Sequence, residues 1–274
     1  MIISASRRTD IPAFYSQWFM DCIHRGSCTV KNPYNPNQIR EISLLPEDVE
    51  AIVFWTRYPS PLLQYLDELD CGGYHFIFLF TITGYPQWLE AHSPELSQSI
   101  KIFKALSNKI GAQKVIWRYD PIVFSRELDF DFHINNFRAI ASELHHHTQR
   151  VIVSIMEPYS SVIKRITKHL IDRNIVLNPF ADYNAEQMEQ FFSSLSSIAH
   201  ERGMHIQSCC SELSLYGISN GACIDQQLLS NIFNIQLNVP RDAHQRKNCL
   251  CTKSVDIGAY NSCRFGCMYC YASR

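Results

Sequence analysis

The chain has 274 residues, 46% hydrophobic and 19% charged, enough to build the core of one larger domain or two small ones and excluding a disordered chain. Its net charge of −1 gives no footprint for nucleic acid or an anionic membrane. The eleven cysteines are many for a protein expected in the reducing cytoplasm, and point to metal ligation rather than disulfides.

Two further features bear on location. The opening MIISASRRTD is too poor in apolar residues for a leader. The most apolar run, YHFIFLFTI, falls far short of the ~20 residues that cross a bilayer. A basic stretch near the end (Arg241, Arg246, Lys247, Lys253, Arg264, Arg274) reads as a solvated face or an anion-binding rim.

In chain order, short β-branched or aromatic runs predict buried parallel strands at residues 2–6, 51–56, 76–82, 114–119, 151–156, 205–209 and 256–260. Helical segments are expected between them. One follows a Thr-Asp start and stops at Gly26, one runs from Ser-Pro-Glu to Gly111, and one begins NAEQ and ends at Gly203. Strands alternating with helices predict an α/β fold with a parallel sheet. Seven candidate strands favour a TIM-like (β/α) barrel, incomplete in its strand count, over an open doubly wound sheet. One domain is expected over 1–274, with a cysteine-rich segment over about 205–274. No strand–GxGxxG–helix or GxxxxGK[ST] element occurs.

Polar clusters follow the strands: SRRTD, TRYP, TGYP, RYDP, MEPY, CCSE and NSCRFGC. Strand C-termini carry the active site in a barrel of this type. Arg7, Arg8, Asp10, Arg57, Arg118, Asp120, Glu157 and Glu212 are therefore expected to rim a charged mouth. Within WRYDP, strand alternation places Arg118 and Asp120 on one face, as a charge pair that orients a cofactor or substrate or as a structural salt bridge. Glu157 is a candidate acceptor for a ribose hydroxyl.

The segment CRFGCMYCYASR carries Cys263, Cys267 and Cys270 in C-x3-C-x2-C spacing, with Gly266 allowing a sharp turn before the second thiol. Three thiolates on so short a loop can reach three corners of an iron–sulfur cube, leaving one iron open. Here the sequence resembles the radical S-adenosylmethionine (SAM) superfamily, whose loop reads C-x3-C-x-aromatic-C. The resemblance implies a [4Fe–4S] cluster on Cys263, Cys267 and Cys270, SAM chelating the open iron, and Tyr269 beside the adenine. It also implies reductive cleavage of SAM to a 5′-deoxyadenosyl radical, and a reductant such as flavodoxin or ferredoxin.

Over nearly its whole length the chain is similar to the domain-of-unknown-function 1848 family, through SASRRTDIPAFY, VKNPYNP, IVFWT, WRYDPIVF, CIDQQLL and CTKSVDIGAYNSCRFGCMYCYA. That family has no assigned function and implies no substrate. The cysteine loop of most radical SAM proteins follows the first strand, and a GGE-like stretch follows the second. Here the loop comes late, and Gly72-Gly73 precede a strand. A circular permutation would reconcile the two, with DIGAY as first strand and IISAS next to it. Arg7, Arg8 and Asp10 of SRRTD would then stand in for the missing GGE element near the methionine end of SAM.

Four further cysteines, Cys210, Cys223, Cys249 and Cys251, are expected to gather as a second [4Fe–4S] cluster or a zinc site. Their bland alternative is burial of Cys210 and Cys223 as small hydrophobes. Cys210 is favoured over its neighbour Cys209, which alternation would turn the other way. The leading reading is a radical SAM-type enzyme of unknown substrate with Arg118, Asp120 and Glu157 as catalytic candidates. Its rivals are a non-catalytic iron–sulfur electron carrier and a zinc-stabilised binding protein.

Overall fold

The computed structural model describes residues 1–32 and 35–273. The VKNPYNP stretch is therefore described only in part, and Arg274 lies outside the described residues. The strands are β1 (Ile2–Ala5), β2 (Ser27–Asn32), β3 (Asn35–Ser43), β4 (Ala51–Thr56), β5 (Phe76–Thr81), β6 (Val115–Ile122), β7 (Arg150–Ile155), β8 (His205–Ser208), β9 (Ser219–Asn220) and β10 (Val255–Asp256). The α-helices are α1 (Ile11–Phe14), α2 (Ser16–Arg25), α3 (Leu66–Cys71), α4 (Leu96–Ile110), α5 (Phe130–Leu144), α6 (Ser160–His169), α7 (Pro179–Asp182), α8 (Ala185–Glu201) and α9 (Gln226–Phe233).

Eight strands form one sheet in the order β10-β1-β4-β5-β6-β7-β8-β9, and each neighbouring pair is parallel. The order follows the chain without reversal, except that β10 lies beside β1, with Ile3 opposite Val255 and Ser4 opposite Asp256. The outer strands are β10 and β9, and among the described residues no pairing joins them. β2 and β3 form a separate antiparallel pair that the strand reading did not anticipate.

The sheet forms where the sequence is richest in bulky apolar residues. AIVFWT of β4 and FIFLFT of β5 are buried at every position, as expected of parallel strands covered on both faces. Alternation sorts them. Ile52, Phe54, Phe78 and Phe80 pack with the helix-side core that includes Phe103, Phe137 and Phe192. Ala51, Val53, Trp55, Ile77 and Leu79 face the other way, onto Leu229 of α9 and the thiols of Cys209, Cys223, Cys249 and Cys251. The sheet's second face is thus covered by the C-terminal part of the chain.

Six of the seven predicted strands are present to within three residues at either end, and the seventh overlaps its strand at Asp256 alone. There the strand is Val255–Asp256, and beyond it Gly258 passes so close to Ser6 that a Cβ would not fit. The helix expected to end at Gly26 is two helices, broken at Tyr15 (φ −137°, ψ 24°). The hydroxyl of Tyr15 donates to the Ser262 carbonyl at 2.8 Å. α8 starts as its sequence suggests, with the Asn184 side chain and Gln187 forming a reciprocal capping box.

Candidate metal centre and the cavity it lines

The segment 262–273 is fixed to the body from several sides. The backbone N–H of Met268 donates to the Leu89 carbonyl, and His92 donates to Phe265, so Cys267 bridges Glu90 as in a short antiparallel pair. Arg165 of α6 donates to the carbonyls of Met268 (2.8 Å), Cys270 (2.9 Å) and Ser273. Gly266 takes φ +67°, the left-handed turn that a non-glycine residue adopts only at a cost. These contacts order a stretch that contains no helix or strand of its own.

Cys263, Cys267 and Cys270 are free thiols and all three line one cavity of about 320 Å³. They are electrostatic neighbours of one another. They do not crowd as ligands of a single ion do: among the described residues, only Cys209, Cys249 and Cys251 bring all their ligand atoms within 4.8 Å. The Cys263 sulfur faces the backbone N–H groups of Phe265 and Asp10. Burial pushes the Cys267 thiol up to about 12, although the adjacent Arg57 guanidinium favours its thiolate. The three thiols are free to act as ligands, with N–H donors beside one and a guanidinium beside another.

The aromatic of the cysteine loop, Tyr269, is buried, and its hydroxyl meets both Glu90 and Arg57. Glu90 also accepts from Thr83 (2.7 Å) and pairs with Arg57 at 2.8 Å. Neither Glu90 nor Arg165 carries a sequence signal that would have singled it out.

The same cavity is lined by Arg7, Arg8, Asp10, Arg57, Arg118, Asp120 and Glu157. The expected charged mouth at the strand ends is present, with one correction. Glu212 is exposed and turned to Ser214 and Asn220, in a loop that lies beyond the end of β8. Arg118 and Asp120 form the ion pair that alternation predicts, and Ser154 donates to Asp120. Glu157 is paired with Arg246 at 2.9 Å on the exposed side of the cavity. Arg8 is held by Asp256 at 3.0 Å. Asp10 caps α1 through the Ala13 N–H and accepts from the Arg57 N–H at 2.6 Å. Burial nonetheless raises its carboxyl to about 7.

Three buried donors in the cavity wall have no acceptor: Arg7 Nη2, Trp55 Nε1 and Arg118 Nε. The Trp55 ring has both guanidiniums near its face, Arg7 at 5.2 Å and Arg118 at 4.8 Å. An unfilled donor in a buried wall costs ~1–3 kcal/mol, so these groups mark where an acceptor-rich ligand would sit.

A second group of sulfurs lines this cavity: Cys209, Cys210, Cys223, Cys249 and Cys251. Cys209 belongs to it, contrary to the alternation argument. β8 ends at Ser208, and Cys210 takes φ +63°, so the two Sγ atoms stand 3.8 Å apart rather than on opposite faces. A buried triad of Cys209, Cys249 and Cys251 could hold a metal. No helix among the described residues is long and apolar enough to cross a membrane.

Residues 2–272 match the family model described as "Domain of unknown function (DUF1848)". No curated protein matches the chain. Among solved structures, the chain aligns with "a putative alpha-L-fucosidase from Bacteroides thetaiotaomicron VPI-5482" at 15% identity and a TM-score of 0.28. The alignment covers 60% of this chain and 63% of that one, so the chain spans less than two thirds of that protein, and a likeness at this score carries no argument.

Proposed function

The chain belongs to the DUF1848 family, and from the site it carries we propose that it is a radical SAM-type iron–sulfur enzyme acting on an as yet unassigned substrate. The observation that carries the reading is the pinned loop, whose free thiols Cys263, Cys267 and Cys270 line a cavity that also holds unfilled N–H donors. The pairing of β10 with β1 supports the permuted arrangement, since it sets the strand that leads into the cysteine loop next to the strand that leads into SRRTD. A [4Fe–4S] cluster held there would bind SAM at its open iron and supply the electron that releases a 5′-deoxyadenosyl radical.

The chain's own residues then divide the work. Cys263, Cys267 and Cys270 hold the cluster, and Arg165 and the Leu89–His92 segment hold the loop. Tyr269 offers an aromatic edge whose position Glu90 and Arg57 fix. Arg7 and Arg118 present unfilled donors to carboxylate or ribose oxygens. Arg8 and Asp10, occupied by Asp256 and by backbone N–H groups, act as positioning residues. Asp120 and Glu157 are the carboxylates available to orient substrate, each held by an arginine. The reading requires a one-electron donor of the flavodoxin or ferredoxin kind and a reducing compartment such as the cytoplasm.

The test is anaerobic reconstitution of the full chain with iron and sulfide, followed by an iron count and EPR of the reduced protein with and without SAM. The expected outcome is about four irons that disappear in Cys267→Ala, with a signal that changes on adding SAM. An unchanged spectrum would leave an electron carrier. No cluster at all would remove the radical chemistry.

A further inference from the structure

We infer that Cys209, Cys223, Cys249 and Cys251 form a second, independent metal centre, a four-thiolate site for a single soft ion of the zinc kind, which fastens residues 234–254 to the inner face of the sheet. The Sγ atoms of Cys209, Cys249 and Cys251 lie within 4.8 Å of one another. Thiolates around one tetrahedral ion at about 2.3 Å stand roughly 3.8 Å apart. Cys223, only 3% exposed, lies outside that 4.8 Å group but in the same buried cluster and on the same cavity wall, and supplies the fourth thiolate. None of the four is in a disulfide.

The way this part of the chain is buried supplies a separate argument. Between α9 and β10 there is no helix or strand, only an isolated bridge between Arg241 and Thr252. So long an irregular segment inside a domain needs something to hold it. Its large apolar side chains do little of this: Leu237 and Val239 are only half-buried against the cluster. Leu250 is 44% exposed, while the thiols on either side of it, Cys249 and Cys251, are 3% and 2% exposed. A leucine gains more from burial than a cysteine does. The N-C-L-C sequence is therefore turned the wrong way for hydrophobic packing and the right way for ligation.

The surroundings fit thiolates as well. The Arg7 guanidinium is an electrostatic neighbour of Cys251 and Cys223, and a nearby positive charge favours the thiolate form. Cys210 is left out. Its Sγ stands 3.8 Å from that of Cys209, but it is only partly buried and has Arg246 as an electrostatic neighbour. On binding, the divalent ion takes four thiolates and the four thiol protons pass to solvent. No electron is exchanged. The centre lines the same cavity as the cysteine loop, so it shapes that cavity's wall without depending on the loop's cluster.

The experiment uses the full-length chain carrying Cys263→Ala, Cys267→Ala and Cys270→Ala, so that its result is independent of the radical SAM reading. Zinc and iron are counted after dialysis against Zn²⁺ and removal of loose metal. About one zinc per chain is expected, with tetrahedral thiolate bands when Co²⁺ replaces it. The metal should be lost in Cys249→Ser, Cys251→Ser and Cys223→Ala, and kept in Cys210→Ala. Because such variants can unfold, hydrogen exchange over 234–254 is followed in the triple-alanine protein on chelation and on re-addition of Zn²⁺. Reversible deprotection of that segment supports the site. A folded, metal-free protein with unchanged exchange overturns it. Iron with acid-labile sulfide, lost with the same cysteines, overturns the single-ion assignment in favour of a cluster.

Discussion

Glu90 shows how a residue outside every motif can control one inside it. It is 3% exposed, and its carboxylate receives Thr83, Arg57 and the Tyr269 hydroxyl. Removing the charge in Glu90→Gln leaves a guanidinium that is itself largely buried. The expected loss is ~3 kcal/mol, read as a lower urea midpoint. Arg57→Met with Glu90→Gln should recover part of it, because the unpaired charge then goes too; additive losses would show that the pair is not coupled. No local pattern announces Glu90, since its partner in the cysteine loop is 179 residues away. The loop thiols were legible because ligand spacing is a short-range signal. The Arg118–Asp120 pair was legible because strand alternation is as well. Cys209 was misjudged where alternation was carried past the last residue of β8, and there the positive φ of Cys210 decides the geometry.

Between elements, His133 joins α5 to β6 and to the loop that follows. The Val123 carbonyl can only accept, so Nε2 carries the proton at 3.1 Å and Nδ1 accepts from Tyr119 at 2.8 Å. The ring is fully buried, and burial lowers its pKa to about 4, against the Val123 carbonyl and Asp129, which favour the cation. Below pH 6.5 the unfolded chain takes up a proton that the folded chain refuses. Stability from this residue is therefore complete above pH 6.5 and is lost as the pH falls towards 4, by about 3 kcal/mol. Urea midpoints of the wild type and His133→Gln, measured from pH 7 to 4, should converge as the pH falls; parallel curves would exclude the linkage. The elements themselves were largely legible: buried strands and capped helices advertise themselves through runs, Asn or Asp starts and Gly stops. The β2–β3 pair was not, since SCTVKN and its partner are half polar and pack as a surface hairpin. The break at Tyr15 was not either: the contact its side chain makes there, a hydrogen bond to Ser262, is tertiary and leaves no local pattern.

At the scale of the molecule, one carboxylate gathers hydrogen bonds from both the first and the last strand of the sheet. One oxygen of Asp256 accepts from Ser4 and the Arg7 N–H, and the other from Ser6, Gly258 and Arg8. Both strands that lead into the cavity, β1 towards Arg7 and β10 towards the cysteine loop, are thus registered on one side chain. An asparagine there has the same shape but one acceptor oxygen instead of two. Whichever way it is turned, an N–H₂ group meets donors, and Arg8, largely buried, loses its counter-charge. Asp256→Asn should therefore cost ~3 kcal/mol or more, measured by chemical denaturation. The proposed iron site should suffer beyond that cost, because the loop enters from β10. At a denaturant-free temperature where the variant is still folded, reconstituted iron on Cys263, Cys267 and Cys270 should fall below the wild-type count, while zinc on the second thiolate group should be retained. The second group is fastened by Cys209 and Cys223 as well as by the segment before β10, so it does not rely on that register. Equal loss of both metals would mean that Asp256 supports the fold at large. Loss of iron alone would locate its effect at the junction of β1 and β10.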